Sequence, residues 1–148
     1  MSSSLRVLLV DDDEDFSEIL GDFLVGCGFT VMTCTSLTHC MEAFSRGAFN
    51  VALIDGSVRG RDGCEAVEAL RLADPDVAIV VLSGRADPAR REQAFASGAN
   101  AYMTKPCSLA EIRATIHDAA ESRRVARRLH REASTRATAG VGLASKLS

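Results

Sequence analysis

The sequence predicts an α/β protein, a doubly wound sandwich in which a five-stranded parallel sheet is covered by helices on both faces. Two observations carry this. Short, wholly apolar runs such as Val51-Ala52-Leu53-Ile54 and Val77–Leu82 lack the alternation of a half-exposed sheet and read as strands buried on both faces. Between such runs apolar residues recur at helical spacing, and an order of strand, helix, strand demands right-handed crossovers and parallel neighbours. Ligands in this architecture gather beyond the C-terminal ends of the strands. The run at Val51 ends there on Asp55, followed by Gly56-Ser57, so Asp55 is either a chemical group or the residue that opens the next turn.

The elements follow in order. Leu5–Val10 is the first strand and runs into Asp11, Asp12, Asp13, Glu14 and Asp15. Phe16, Ile19, Leu20, Phe23 and Leu24 then keep the i, i+3, i+4 spacing of a helix with one buried stripe, stopped by Gly26 and Gly28. Phe29–Cys34 is a short second strand, and Leu37, Cys40, Met41 and Phe44 mark a second helix ending near Gly47. Beyond the strand that carries Asp55, residues 56–63 form a loop by composition, and Cys64, Val67 and Leu70 supply the apolar face of a third helix. Asp74-Pro75-Asp76 breaks the chain before the Val77–Leu82 strand, which ends on Ser83-Gly84. Asp87-Pro88 has the form of an N-cap with proline in the first turn, and Gly98 closes that helix. Ala101-Tyr102-Met103 is the fifth strand, finishing at Thr104-Lys105-Pro106. Ser108 and Glu111 make a capping box for a last helix, with Leu109, Ile112 and Ile116 inward, expected to fade near Ala133. From Ser134 to Ser148 the chain has little periodicity and is expected to be mobile.

A chain of 148 residues with 47% hydrophobic and 25% charged residues is one globular domain's worth, not a disordered or fibrous one. No apolar run approaches the roughly 20 residues that span a bilayer, so a cytoplasmic protein without membrane contact is expected. The five cysteines, Cys27, Cys34, Cys40, Cys64 and Cys107, show no Cys-x-x-Cys spacing and suit reduced, mostly buried positions better than a disulfide framework or a zinc site. Charge is uneven: residues 1–120 carry 10 Lys and Arg against 18 Asp and Glu, whereas residues 121–148 carry 7 against 2. Arg123, Arg124, Arg127, Arg128 and Arg131 have no interleaved aromatic residue, so they read as a solvated helix end and nucleic-acid binding is not expected.

The strand ends converge on one edge of such a sheet and carry Asp11 and Asp12, Asp55, Ser83 and Lys105. Three carboxylates brought together repel one another unless a cation lies between them, and an all-oxygen site suits Mg²⁺. A hydroxyl and an ammonium beside them are useful if an anion also arrives, most naturally a phosphoryl group. A carboxylate can itself be the nucleophile, giving an aspartyl phosphate.

Together these residues resemble the receiver domain of two-component response regulators, over residues 5 to about 120. The resemblance implies the flavodoxin-like (βα)5 sandwich with strand order 2-1-3-4-5, residues 1–120 as the receiver and residues 121–148 as a basic helical extension and tail. It implies that Asp55 accepts the phosphoryl group, that Asp12 and Asp11 hold Mg²⁺ with Asp55 and the backbone carbonyl of Ser57, and that Ser83 and Lys105 contact the phosphoryl group. It also makes Ser83 and Tyr102 the switch pair and the Lys105-Pro106 bond cis. The implied donor is a phosphohistidine on a sensor histidine kinase or a histidine phosphotransfer protein. The implied output is a changed protein surface, read by a downstream protein or by an effector domain missing from this sequence, with no independent enzymatic turnover. A constitutive docking unit would typically lack one of the acidic residues or the lysine, and all are present; a phosphohydrolase of the common aspartate-nucleophile kind would need Asp-x-Asp where Asp55-Gly56-Ser57 stands. The chain departs from the family pattern at Val58-Arg59, where Met-Pro is usual, which frees the backbone φ and brings a guanidinium near the site. Gly84 stands where alanine is more common, and Arg85 lies at the mouth.

Overall fold

The computed structural model describes residues 4–147, with side chains described through residue 137. Strands β1 (Arg6–Val10), β2 (Thr30–Cys34), β3 (Val51–Asp55), β4 (Ala78–Ser83) and β5 (Ala101–Thr104) form one parallel sheet in the order β2-β1-β3-β4-β5. The apolar runs are buried on both faces for the reason the sequence suggests. Val7 and Leu9 face one helical layer, Leu8 and Val10 the other, and none of the four is more than 1% exposed. On one side α1 (Glu14–Gly26) and α5 (Leu109–Leu147) bring Leu20, Leu24, Ile112 and Ile116 onto Val7, Leu9, Leu53 and Val80. On the other, α2 (Leu37–Arg46), α3 (Cys64–Ala73) and α4 (Pro88–Ser97) pack Leu37, Cys40, Val67, Leu70 and Ala94 onto Leu8, Ile54, Ile79 and Val81. Among the described residues no helix is long and apolar enough to cross a membrane.

The helix starts follow their caps. Asp13, Ser36 and Asp87 accept from the N–H of Phe16, His39 and Ala89, and Pro88 opens α4. The capping box of α5 is reciprocal: Ser108 Oγ accepts from Glu111 N–H at 3.1 Å and a Glu111 carboxylate oxygen from Ser108 N–H at 3.4 Å. Gly98 closes α4 at φ 118, in the left-handed region open to glycine.

Four sequence expectations are corrected. The buried stripe of α1 is Ser17, Leu20, Gly21 and Leu24, while Ile19 is 60% exposed. Gly21 lies against Val31 and Thr33 of the edge strand, so the helix sits close to the sheet on its small residues and turns Ile19 outward. The stretch 56–63 contains a two-stranded hairpin, with Ser57 opposite Asp62 and Val58 opposite Arg61, and it drops Val58 fully into the core. Helix α5 does not fade near Ala133 but continues to Leu147, with no proline after Pro106 to break it and alanines recurring through the last turns; Ser148 and the side chains beyond residue 137 lie outside the described residues. The basic stretch is not wholly a solvated helix end. Arg123 donates to the carbonyls of Pro75 and Asp76, and Asp76 also faces Arg127 and His130 at 3.8 and 3.9 Å.

The end of the sheet away from Asp55 is tied by a residue that apolar periodicity does not reveal. The Arg71 guanidinium donates to the carbonyls of Gly98, Asp74, Pro75 and Val77 and to Asn100 Oδ1, joining the end of α3, the entry to β4 and the end of α4. Removing the guanidinium takes the donor from the part-buried carbonyls of Gly98, Asp74 and Val77, so Arg71→Ala should destabilise the fold by about 2–3 kcal/mol. Urea unfolding measures this, with Arg71→Lys recovering little because an ammonium lacks the planar fork.

Candidate functional site

The register of the sheet assembles the site. Val10 pairs with Ile54, Asp55 with Leu82, and Ser83 with Thr104, so residues at or just past four strand ends meet at one edge. Asp11, Asp12 and Asp55 each bring a carboxylate oxygen within 4.8 Å of the others. Asp11 is 1% exposed and Asp12 lies at the surface, so the cluster opens outward.

Lys105 is the counter-charge. Its Nζ stands 3.2 Å from Asp11 Oδ2 and 3.2 Å from Asp55 Oδ2, and 4.7 Å from the centre of the Phe16 ring, whose face also favours a cation. Its own N–H donates to the Ser83 carbonyl at 2.7 Å, and the Lys105-Pro106 bond is cis. Burial would lower the lysine's pKa, but Asp55 and Asp11 outweigh it and the net shift is upward, so the ammonium stays charged at neutral pH. Burial raises the Asp11 carboxyl and Asp55 pushes in the same direction; the Asp13 N–H, which Asp11 Oδ1 accepts at 2.9 Å, and Lys105 oppose them without cancelling them.

Asp55 Oδ1 accepts from Ser57 N–H at 3.1 Å, while the Ser57 side chain is exposed. At Gly56 and Gly63, which flank the turn after Asp55, there is no room for a side chain. A Cβ on Gly63 would stand 2.1 Å from the Asp55 carbonyl oxygen, and one on Gly56 2.9 Å from Ser83 Oγ. Ser83 is buried, and its Oγ accepts from Arg85 N–H at 3.2 Å. Tyr102 is half-buried beside the core, and its hydroxyl donates to the Arg85 carbonyl at 2.7 Å. The Arg85 peptide groups therefore stand between Ser83 and Tyr102.

The structure thus brings Asp11, Asp12, Asp55 and Lys105 into one cluster, sets Ser83 beside it on β4, and leaves Tyr102 one link further out. Sequence reasoning missed Phe16 as the floor under Lys105, the backbone bridge at Arg85 and the two steric glycines. Phe16 was visible only as one of the apolar residues of α1, and the others act through backbone. Arg59 also differs from expectation. Its guanidinium is turned to the Thr35 carbonyl, 2.8 Å from Nε, and it is the backbone N–H that reaches the acidic cluster, donating to Asp12 Oδ2 at 2.7 Å.

The response regulator receiver domain family model matches residues 7–117. The chain is 36% identical over 109 residues to the transcriptional activator protein PfeR of Pseudomonas aeruginosa, covering 74% of this chain and 35% of that protein. It is 34% identical over 114 residues to the transcriptional regulatory protein PrrA of Mycobacterium tuberculosis, covering 77% of this chain and 49% of that protein. The chain therefore spans between a third and a half of the length of these curated relatives. Among solved structures, a CheY-like response regulator receiver domain protein from Methanospirillum hungatei superposes with a TM-score of 0.79 at 23% identity, over 82% of this chain and 98% of that one, a likeness of fold.

The raised Asp11 pKa has a consequence for stability. A carboxyl that holds its proton more tightly in the folded than in the unfolded chain costs stability as pH rises above its unfolded value near 3.8 and on through its raised folded value. In protein stripped of divalent cations, Asp11→Asn should therefore raise the melting temperature at pH 7, and the gain should vanish at pH values below 3.8. Calorimetry across this range checks both the sign and the window.

Proposed function

The chain belongs to the response regulator receiver family, and on that premise we propose that it is a phosphoacceptor switch whose acceptor is Asp55. The observation that carries the reading is the convergence of Asp11, Asp12 and Asp55 on one strand edge with Lys105 bonded to two of them.

The donor set fits Mg²⁺: all the ligands are oxygens, the charge is high, and one ammonium leaves it only partly balanced. Asp11, Asp12, Asp55 and the backbone carbonyl of Ser57 would hold the ion. Bound there, it would supply charge neutralisation to the phosphoryl oxygens beside Asp55. The rest is the work of this chain's own groups. An Asp55 carboxylate oxygen attacks phosphorus while the P–N bond to the donor imidazole breaks, with the electron pair leaving on the ring nitrogen. Lys105, held protonated by its two carboxylates, offsets the negative charge of the transferred group. Asp11 holds Lys105 from the buried side.

The donor is a phosphohistidine of a sensor kinase or of a phosphotransfer protein. The reader is a downstream protein or an effector segment of a longer chain, in keeping with relatives that are transcriptional regulators. The switch runs through Arg85. Ser83 Oγ, in turning toward the phosphoryl group to donate to it, moves away from Arg85 N–H; the Arg85 carbonyl, which anchors the Tyr102 hydroxyl, shifts with that segment, and the ring turns inward beside β4. Two hydrogen-bonded arrangements of this kind differ by only a few kcal/mol, so the unphosphorylated chain already samples both.

Intact mass spectrometry after treatment with acetyl phosphate should show a gain of one phosphoryl group that requires Mg²⁺ and is lost in Asp55→Ala. A gain that survives either chelation or the mutation rules the assignment out. Ser83→Ala should still accept phosphate yet leave Tyr102 in place. NMR of the ring with beryllofluoride and Mg²⁺ reads this, and equal movement in wild type and mutant would exclude Ser83 as the coupling element.

A further inference from the structure

Among the described residues Arg59 is the one non-glycine residue with positive φ, at 51, and Gly60 follows at 76. Two successive positive φ values at the centre of a two-residue hairpin are what a type I′ turn requires, a setting where Asn or Gly normally stands and where arginine is strained. Such strain persists only if the surroundings fix it. They do so from two directions: Arg59 Nε donates to the Thr35 carbonyl at 2.8 Å, and Arg59 N–H donates to Asp12 Oδ2 at 2.7 Å, a short, charge-assisted bond across 47 residues of sequence. This is also where the sequence departs from the Met-Pro usual in the family. Proline has no N–H, and its ring holds φ near −65°, so it can neither make the Asp12 bond nor adopt this backbone.

We propose that the backbone N–H of Arg59, presented by the left-handed turn, is a positioning group for Asp12, holding its carboxylate in one orientation so that Mg²⁺ meets a preordered ligand. The inference rests on the reading of Asp12 as a metal ligand. Asp12 needs such a hold because it is exposed and, unlike Asp11 and Asp55, makes no ion pair with Lys105. A carboxylate can accept several hydrogen bonds, so an N–H on Oδ2 does not exhaust it. The Arg59 side chain serves the turn by clamping it to the end of β2, and the backbone serves Asp12. Groups that orient a metal ligand typically change affinity 10- to 100-fold when removed.

The test is calorimetric titration of the full chain with Mg²⁺ in wild type, Arg59→Pro, Arg59→Gly and Asp12→Ala. Arg59→Gly keeps the N–H and takes positive φ without strain, so it should bind within about threefold of wild type, whereas Arg59→Pro should bind about tenfold more weakly or worse. Wild-type affinity in Arg59→Pro, or an equal loss in Arg59→Gly, overturns the proposal. Should Arg59→Pro fail to fold, the Arg59 amide proton decides. In metal-free wild type it should resonate far downfield and exchange slowly, and both properties should disappear in Asp12→Ala; an amide that exchanges at the unprotected rate overturns the proposal just as surely. The two readings fail differently. If wild type takes up no Mg²⁺, or Asp12→Ala binds as wild type does, the metal assignment falls and takes this inference with it; if binding needs Asp12 but is indifferent to Arg59→Pro, this inference alone falls.

Discussion

The Lys105 ammonium between the carboxylates of Asp11 and Asp55 is the interaction on which this edge of the sheet depends. Asp11 is almost completely buried, and a buried carboxylate facing a second one is unfavourable unless a cation is fixed beside both. Fixing that cation takes several elements. Its backbone is tied to β4 through the Ser83 carbonyl, and its charged end rests over the Phe16 ring of α1. The edge is thus organised across the sheet, with β1 and β3 supplying acid and β5 supplying base.

What could be read from the chain follows from where the energy lies. The five strands were legible because burial on both faces forces unbroken apolar runs, and the strand tips were legible because a polar residue that ends such a run is conspicuous. Ile19 misled because it satisfies the helical period, yet Gly21 and Ser17 let α1 approach β2 and rotate that period towards small residues. The hairpin at 57–62 was hidden because Arg59 gives no hint of positive φ; only the structure shows the two bonds that hold it there. Arg71 and Arg123 were hidden for a related reason, since their partners are carbonyl groups that carry no sequence signature. The length of α5 escaped because helix propensity alone, without an amphipathic stripe, gives no visible period.

The site divides into parts of different stiffness. Around Asp55 the backbone is locked. Gly56 N–H donates to the Leu82 carbonyl and extends the β3–β4 ladder past the carboxylate, Gly63 N–H closes the turn onto the Gly56 carbonyl, and neither position has space for a Cβ. In the proposed acceptor role, an Asp55 oxygen held this way would be aimed before a donor arrives, which lowers the entropic cost of a reactive encounter.

Beyond Ser83 the reverse holds. A Cβ on Gly84 would meet nothing within 4 Å, residues 84–89 are exposed, and Arg85 is fastened by one bond from Tyr102 and one to Ser83. Segments with few buried contacts lie at the low end of local stability, so a single exchanged hydrogen bond can shift their population. The same exchange on the Gly56–Gly63 side would have to break the backbone bonds that Gly56 and Gly63 make to Leu82 and Gly56. Under the proposed phosphoacceptor reading, a stiff acceptor and a loosely tethered responder, sharing Ser83 at their boundary, would let the group that accepts charge stay still while the surface that reports it moves.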